Sequence, residues 1–396
     1  MLGNFVGIAW HTDGSVFMHG RATSLPNAAN NYRSSNLTDW VLANEGYCGT
    51  NFGMRGLSPS MFASASKFAI CMIDLGPRLS LNSGASFGDC TFTLTTFSPT
   101  LTERTCNGVA VSPDTNVLMA SVQANNSRLL RSTDNGATWS EPATADMGGS
   151  HTIIKGSGTG ASTTWFAGRR KSTDNGATWA VMANLPTGYV VCATTFSGTQ
   201  NIFAYNLAGG VDTFYRSSDQ GATWTLVLTM PYNNKISSMR FGPLAAHPSD
   251  PDILFTKGPN DCTIRRWDLS SGAHNTRPWV NLSVFGGSNG VPGGYPVTFE
   301  IKMIAIDPRY PLILHALTSN GGGPRLYRTT DGGATAWEEL GGDVFPMGCN
   351  ANALATSPFT GDTIVGGSNG TFVLHPTYAQ AGTIFVLREQ TDKGHC

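Results

Sequence analysis

One nine-residue phrase recurs along this chain and constrains its fold more than any bulk property. Arg131-Ser-Thr-Asp-Asn-Gly-Ala-Thr-Trp139, Lys171-Ser-Thr-Asp-Asn-Gly-Ala-Thr-Trp179 and Arg216-Ser-Ser-Asp-Gln-Gly-Ala-Thr-Trp224 are near copies. Arg328-Thr-Thr-Asp-Gly-Gly-Ala-Thr-Ala-Trp337 carries one extra residue before its Trp. Ser80-Leu-Asn-Ser-Gly-Ala-Ser-Phe87 is degenerate, and Tyr32-Arg-Ser-Ser-Asn-Leu-Thr-Asp-Trp40 is a shortened sixth. Recurrence of this kind specifies a repeat architecture, in which each added unit brings its own slice of core.

The residue types suit a hairpin. Asp134, Asp174, Asp219 and Asp331 can accept hydrogen bonds from turn amides. Gly136, Gly176, Gly221 and Gly333 can take positive φ without a Cβ penalty. Thr138, Thr178 and Thr223 are expected to begin the next strand. Trp139, Trp179, Trp224 and Trp337 supply apolar area that closes the hairpin on its sheet. On this reading the aspartates are structural and none is nominated as catalytic.

These segments resemble the Asp box, Ser-x-Asp-x-Gly-x-Thr-Trp, of sialidases, some other glycoside hydrolases, sortilin-type receptors and many phage and bacterial propellers. The resemblance implies an all-β fold, a single β-propeller of four-stranded blades over residues 1–396, with the box between the third and fourth strands. A second pattern precedes the boxes: an apolar strand, a turn with Pro or Gly, then another apolar strand, as in Gly108–Ser121 and Met303–Ala316. Such openings fall near residues 4, 60, 107, 150, 188, 238, 300 and 350. Eight units favour eight blades; seven remain if terminal strands combine into one blade. The sixth unit has no clean box, only Arg265-Arg-Trp-Asp-Leu-Ser-Ser-Gly272.

Composition narrows the function classes. Hydrophobic residues make up 40% and charged residues 13%, with 47 Gly and 21 Pro, which suits short strands joined by many turns. A net charge of −1 gives no basic face for general nucleic-acid binding. No secretory leader or membrane-spanning stretch is expected. The eight cysteines include no CxxC pair, so a zinc site is not expected, nor is any other metal or cofactor. Scattered buried thiols are the plainer reading, with disulfides left open.

Propeller ligands usually meet the loops that join one blade to the next. Candidate ligand-binding residues there are Arg55, Arg104, His151, Tyr232 and Tyr295, with Asn107 and Tyr189 among further inter-blade positions. The sialidase resemblance implies an arginine triad, a tyrosine nucleophile with a glutamate partner, and an acid/base aspartate. Here His19-Gly-Arg-Ala-Thr-Ser-Leu-Pro26 does not match the expected arginine motif, and no local signal identifies the tyrosine. Glu103 and Glu300, with Arg104, form the fallback catalytic set. Of the two function classes, a non-enzymatic binding or assembly module fits better than a sialidase-like glycoside hydrolase. Low charge, abundant small polar residues and near-identical boxes point to a bacteriophage virion component, assembled in the host cytoplasm. It would contact other virion proteins or a host surface glycan, in symmetric multicopy form.

Overall fold

The structure, a computed structural model, describes residues 5–10, 16–21, 29–34, 41–42, 59–72, 76–84, 87–90, 105–122, 128–142, 153–194, 201–206, 211–230, 244–258, 263–283, 300–320, 323–335, 337–340, 351–367, 370–375 and 386–389. The strands within 5–42 and 386–389 are described by their backbone alone. Among the described residues, the helical elements are two 3-10 turns, Pro59–Met61 and Gly160–Ser162.

Among the described residues, eight antiparallel sheets follow one another in chain order, and within each the strands pair in the order in which they occur in the chain. Six have four strands; the second and third have three. An isolated bridge flanks each of those two. Phe62 pairs with Phe68 ahead of the second sheet, and Arg131 pairs with Ser140 after the third. The first sheet (Phe5–Trp10, Val16–Arg21, Ala29–Ser34, Val41–Leu42) and the eighth (Ala351–Thr356, Thr363–Gly367, Gly370–His375, Val386–Glu389) are separate. The terminal strands therefore do not combine into one sheet.

Where a first strand is one unbroken apolar run it is buried on both faces, whereas Leu244–Ala246 of the sixth sheet is only half-buried. Val109, Ala110 and Val111 of Cys106–Val111 are all 0% exposed. From the third sheet to the eighth, each first strand packs on the first strand of the next sheet, so these strands line the inner side of the molecule.

Side chains on opposite faces of a strand join different neighbours, and this period-two split defines how the sheets meet. Met119 and Leu129 of the third sheet pack with Trp165 and Trp179 of the fourth. Phe166 and Met182 pack with Ile202 and Ala204 of the fifth. Phe214 and Leu228 meet Leu254 and Trp267 of the sixth. Phe255, Ile264 and Leu282 meet Ile304 and Leu314 of the seventh. Leu317 and Leu326 meet Leu354 and Val365 of the eighth. The other face of the eighth sheet, Ala353, Ala355 and Ile364, shares one cluster with Phe62, Phe68 and Ile70 of the second sheet and Val109 and Leu118 of the third. Among the described residues the core is thus a cycle of seams, with no single central cluster. Truncating a fully buried Trp165 or Phe203 within such a seam costs about 3–5 kcal/mol.

No helix among the described residues is long and apolar enough to cross a membrane.

Candidate functional site

The recurrent hairpins share one hydrogen-bond pattern. In the third sheet, Ser132 Oγ donates to Asp134 Oδ1 at 2.7 Å and accepts from the Gly136 amide at 2.8 Å. Asp134 Oδ1 also accepts from the Thr138 amide at 2.8 Å, and Oδ2 accepts from the Thr138 hydroxyl at 2.5 Å. Trp139 Nε1 closes the loop on Gly136 O at 3.0 Å. Ser172, Asp174, Gly176, Thr178 and Trp179 repeat this in the fourth sheet. Ser217, Asp219, Gly221, Thr223 and Trp224 repeat it in the fifth. The degenerate Ser80–Phe87 segment keeps its first half: Ser80 Oγ donates to Asn82 Oδ1 at 3.0 Å and accepts from Gly84 N at 2.8 Å.

Two details differ from the sequence expectation. Thr178 and Thr223 do not begin the fourth strand, which starts at Ala180 and Thr225. They sit in the turn, where their hydroxyls serve the aspartates. In the seventh sheet Asp331 accepts from Thr329 and Thr335 at 2.6 Å each, but Trp337 Nε1 is buried without a hydrogen-bond partner. The extra residue before Trp337 takes its indole out of register with the turn carbonyl.

The electrostatics follow from this geometry. Hydroxyl and amide donation by Thr138, with Ser132 behind it, holds Asp134 down at about 2. Thr223 does the same for Asp219, to about 2. Asp331 is lowered chiefly by the Thr329 and Thr335 hydroxyls. For Asp174 burial pushes upward, but donation from Thr178 and Ser172 outweighs it. An acid held ionised by turn donors is poorly suited to give or take a proton near neutral pH.

Each hairpin also docks on the preceding sheet. A Cβ on Gly136 would fall 2.4 Å from Cys90 Sγ, and one on Gly176 2.4 Å from Met119 Sδ. Gly221 faces Met182 and Gly333 faces Leu282 in the same way. Asn175, at φ 53°, reaches furthest: its side chain accepts from Trp165 Nε1 at 2.9 Å and donates to Thr115 Oγ1 at 3.1 Å in the third sheet. The sixth sheet lacks the motif and uses a longer strap, residues 269–278. His274 O accepts from Thr229 N at 2.7 Å, and Arg277 Nε donates to Val227 O at 3.1 Å, fixing the outer strand Thr225–Thr229 of the fifth sheet. Sequence reasoning missed Ser132 and its equivalents, although a Ser or Thr two residues before each Asp was the available signal. It had no comparable signal for Asn175 or the strap.

Arg55, Glu103, Arg104, His151, Tyr232 and Tyr295 lie outside the described residues. Glu300 begins the strand Glu300–Ile306, with its side chain outside them too. Tyr189 is engaged within its own sheet, hydrogen-bonded to Thr213 and edge-on to Tyr215 at 4.8 Å. Three other glutamates pair with arginines on the third strand of their own sheets: Glu141 with Arg128 at 3.2 Å, Glu338 with Arg328 at 2.6 Å and Glu339 with Arg325. Cys71, Cys90 and Cys106 are buried, and burial pushes Cys90 up to about 11.

A cleft of about 390 Å³ lies between the fourth and fifth sheets. Lys171, Thr178, Val181, Met182, Asn184 and Ala222 line it, and Asn184 Nδ2 donates to Ala222 O across it at 2.7 Å. A second rim feature is Trp279, 40% exposed, backed by Trp267 at 5.1 Å and by the Arg265 guanidinium at 4.7 Å. Both suit contact with a polypeptide or a sugar.

Sheets of three or four strands in chain order, joined face to face in a cycle of seams, define a single all-β propeller. No protein-family model matches the chain, and no curated protein matches it. Solved structures do. YCF48 bound to a D1 peptide superposes with a TM-score of 0.58 at 16% identity, covering 85% of this chain and 96% of that one. YCF48 from Cyanidioschyzon merolae gives 0.55 at 13% identity, covering 81% and 94%. The GH74 xyloglucanase from Xanthomonas campestris gives 0.56 at 18% identity, covering 88% of this chain but only 55% of that one. At these identities the likeness is one of fold alone.

Proposed function

We propose that this chain is a non-enzymatic binding and assembly module that presents a rigid propeller to protein partners. The observation that carries this reading is the state of the hairpin aspartates. Their oxygens are taken up by Ser and Thr hydroxyls and turn amides, so the conspicuous repeated acids hold turns together. In this reading the repeats are Asp boxes serving as structure. The fold neighbour bound to a D1 peptide supports a protein partner by analogy of fold. A rigid face loses little entropy on binding, which suits an assembly platform. Placement in a phage virion rests on composition and repeat style, and mass spectrometry of purified particles tests it.

We also infer a ring of seven sheets, from residue 59 onward, in place of eight. The support is the shared cluster in which described side chains of the eighth sheet meet those of the second and third. The two YCF48 superpositions, each covering over nine-tenths of that protein and about five-sixths of this chain, agree with a smaller ring.

A sialidase-like hydrolase is the second reading, favoured by the xyloglucanase's fold. Incubation of the full chain with a fluorogenic sialoside and with xyloglucan separates the two. The binding-module reading expects no turnover. Turnover that disappears in Glu103→Gln or Glu300→Gln would establish the enzyme.

A further inference from the structure

The geometry points to an internal plug: residues Pro59–Met61 close the axial channel, so that the chain's own incoming segment occupies the axis at that level. This rests on the ring reading above. The 3-10 turn Pro59–Met61 leads through Phe62 into the second sheet. It packs against the first strand of the third sheet, Cys106–Val111, as a neighbour would. It also packs against Ile153–Lys155, the first strand of the fourth sheet. The third sheet stands between the second and the fourth, and first strands line the inner side. A residue of the second sheet can touch the fourth only across that inner space.

The contact is specific. The Lys155 amide points away from its partner Trp165 in the next strand and donates to Ser60 Oγ at 2.7 Å. An inward amide on an innermost strand would otherwise need solvent. Ser60 is 4% exposed and Met61 is 0% exposed, values that a segment lying in an open, water-filled channel would not have. A small molecule or peptide entering along the axis therefore meets protein at this level. Recognition falls to the loop end beyond the plug or to the outer rim.

Hydrogen exchange on the full-length protein tests this. The Lys155 amide is expected to be protected, and Ser60→Ala to speed its exchange about tenfold or more, with Val109 and Ile304 unchanged. Free exchange at Lys155 in the unaltered chain, or no change in Ser60→Ala, overturns the plug. A second variant guards against a silent loss of folding: with labelled sites mapped by mass, Met61→Cys is expected to react with maleimide far more slowly than Leu81→Cys, whose position is 59% exposed. Equal rates overturn the proposal. Ala355→Glu checks the ring separately. Unchanged stability in that variant would refute closure of the eighth sheet on its neighbours, whatever Ser60→Ala does.

Discussion

Gly136 of the third sheet rests directly on Cys90 of the second, so closely that a Cβ on the glycine would lie 2.4 Å from the sulfur and 2.8 Å from the cysteine Cβ. Gly188 has the same φ of 90° but nothing within 4 Å of its would-be Cβ. The pair separates backbone strain from packing. Gly188→Ala is expected to cost about 1–2 kcal/mol from the left-handed backbone alone. Gly136→Ala is expected to cost a further ~1–3 kcal/mol of overpacking. Equal losses in urea titration would mean that the hairpin does not press on its neighbour.

Asn175 ties the fourth sheet to the third with hydrogen bonds to Trp165, Thr115 and Ser112, and is 2% exposed. Asn175→Gly keeps the φ of 53° accessible but strands the Trp165 N–H. It is expected to lose about 2–3 kcal/mol. At Asn135, where φ is 57° and the side-chain oxygen has no partner, the same change is expected to be near neutral by thermal denaturation.

The inserted residue in the seventh-sheet hairpin leaves a contrast between two buried indoles. Trp179 Nε1 is bonded to Gly176 O at 3.0 Å; Trp337 Nε1 has no partner. Trp179→Phe is therefore expected to cost about 1 kcal/mol more than Trp337→Phe, the latter shedding an unsatisfied donor. The reverse order of midpoints would refute the register argument.

His315 is wholly buried in the strand Leu314–Asn320, and burial, followed by the nearby Arg328, lowers it to about 4. Above pH 6.5 the ring is neutral both folded and unfolded. Between about 6.5 and 4 the unfolded chain takes up a proton that the folded chain does not. Stability should therefore fall as pH drops through that window and level off below it, by an amount on the order of 3 kcal/mol. His315→Gln should flatten that part of the profile when unfolding is followed at several pH values.

The hairpins were legible because their chemistry is local. Asp134, Gly136 and Trp139 lie within six residues of one another and recur, so their joint role follows from one turn. The propeller class follows from the same recurrence. What the sequence hid was non-local. Nothing near Gly136 announces Cys90, and nothing near Ala355 announces the cluster it shares with Phe68. Nor does anything in the strap sequence indicate that His274 will bond Thr229. Whether seven or eight units share the ring was not legible for this reason: a sheet can be recognised from its own strands, whereas its place in a ring depends on which faces it covers. The candidate site was hardest to read, because inter-blade loops have no repeat to mark any of their residues.

The central claim is that the repeated acids are structural, and a four-variant stability series tests it most directly. Asp134→Ala, Asp174→Ala, Asp219→Ala and Asp331→Ala should each lower the unfolding midpoint, as the loss of a capping side chain does. In the parent the stabilisation from Asp134 and Asp219 should fade between about pH 4 and 2, as acid protonates the carboxyls that the turn holds ionised. Any of these variants unfolding like the parent at pH 7, while losing a binding or hydrolytic activity of the chain, would contradict the account.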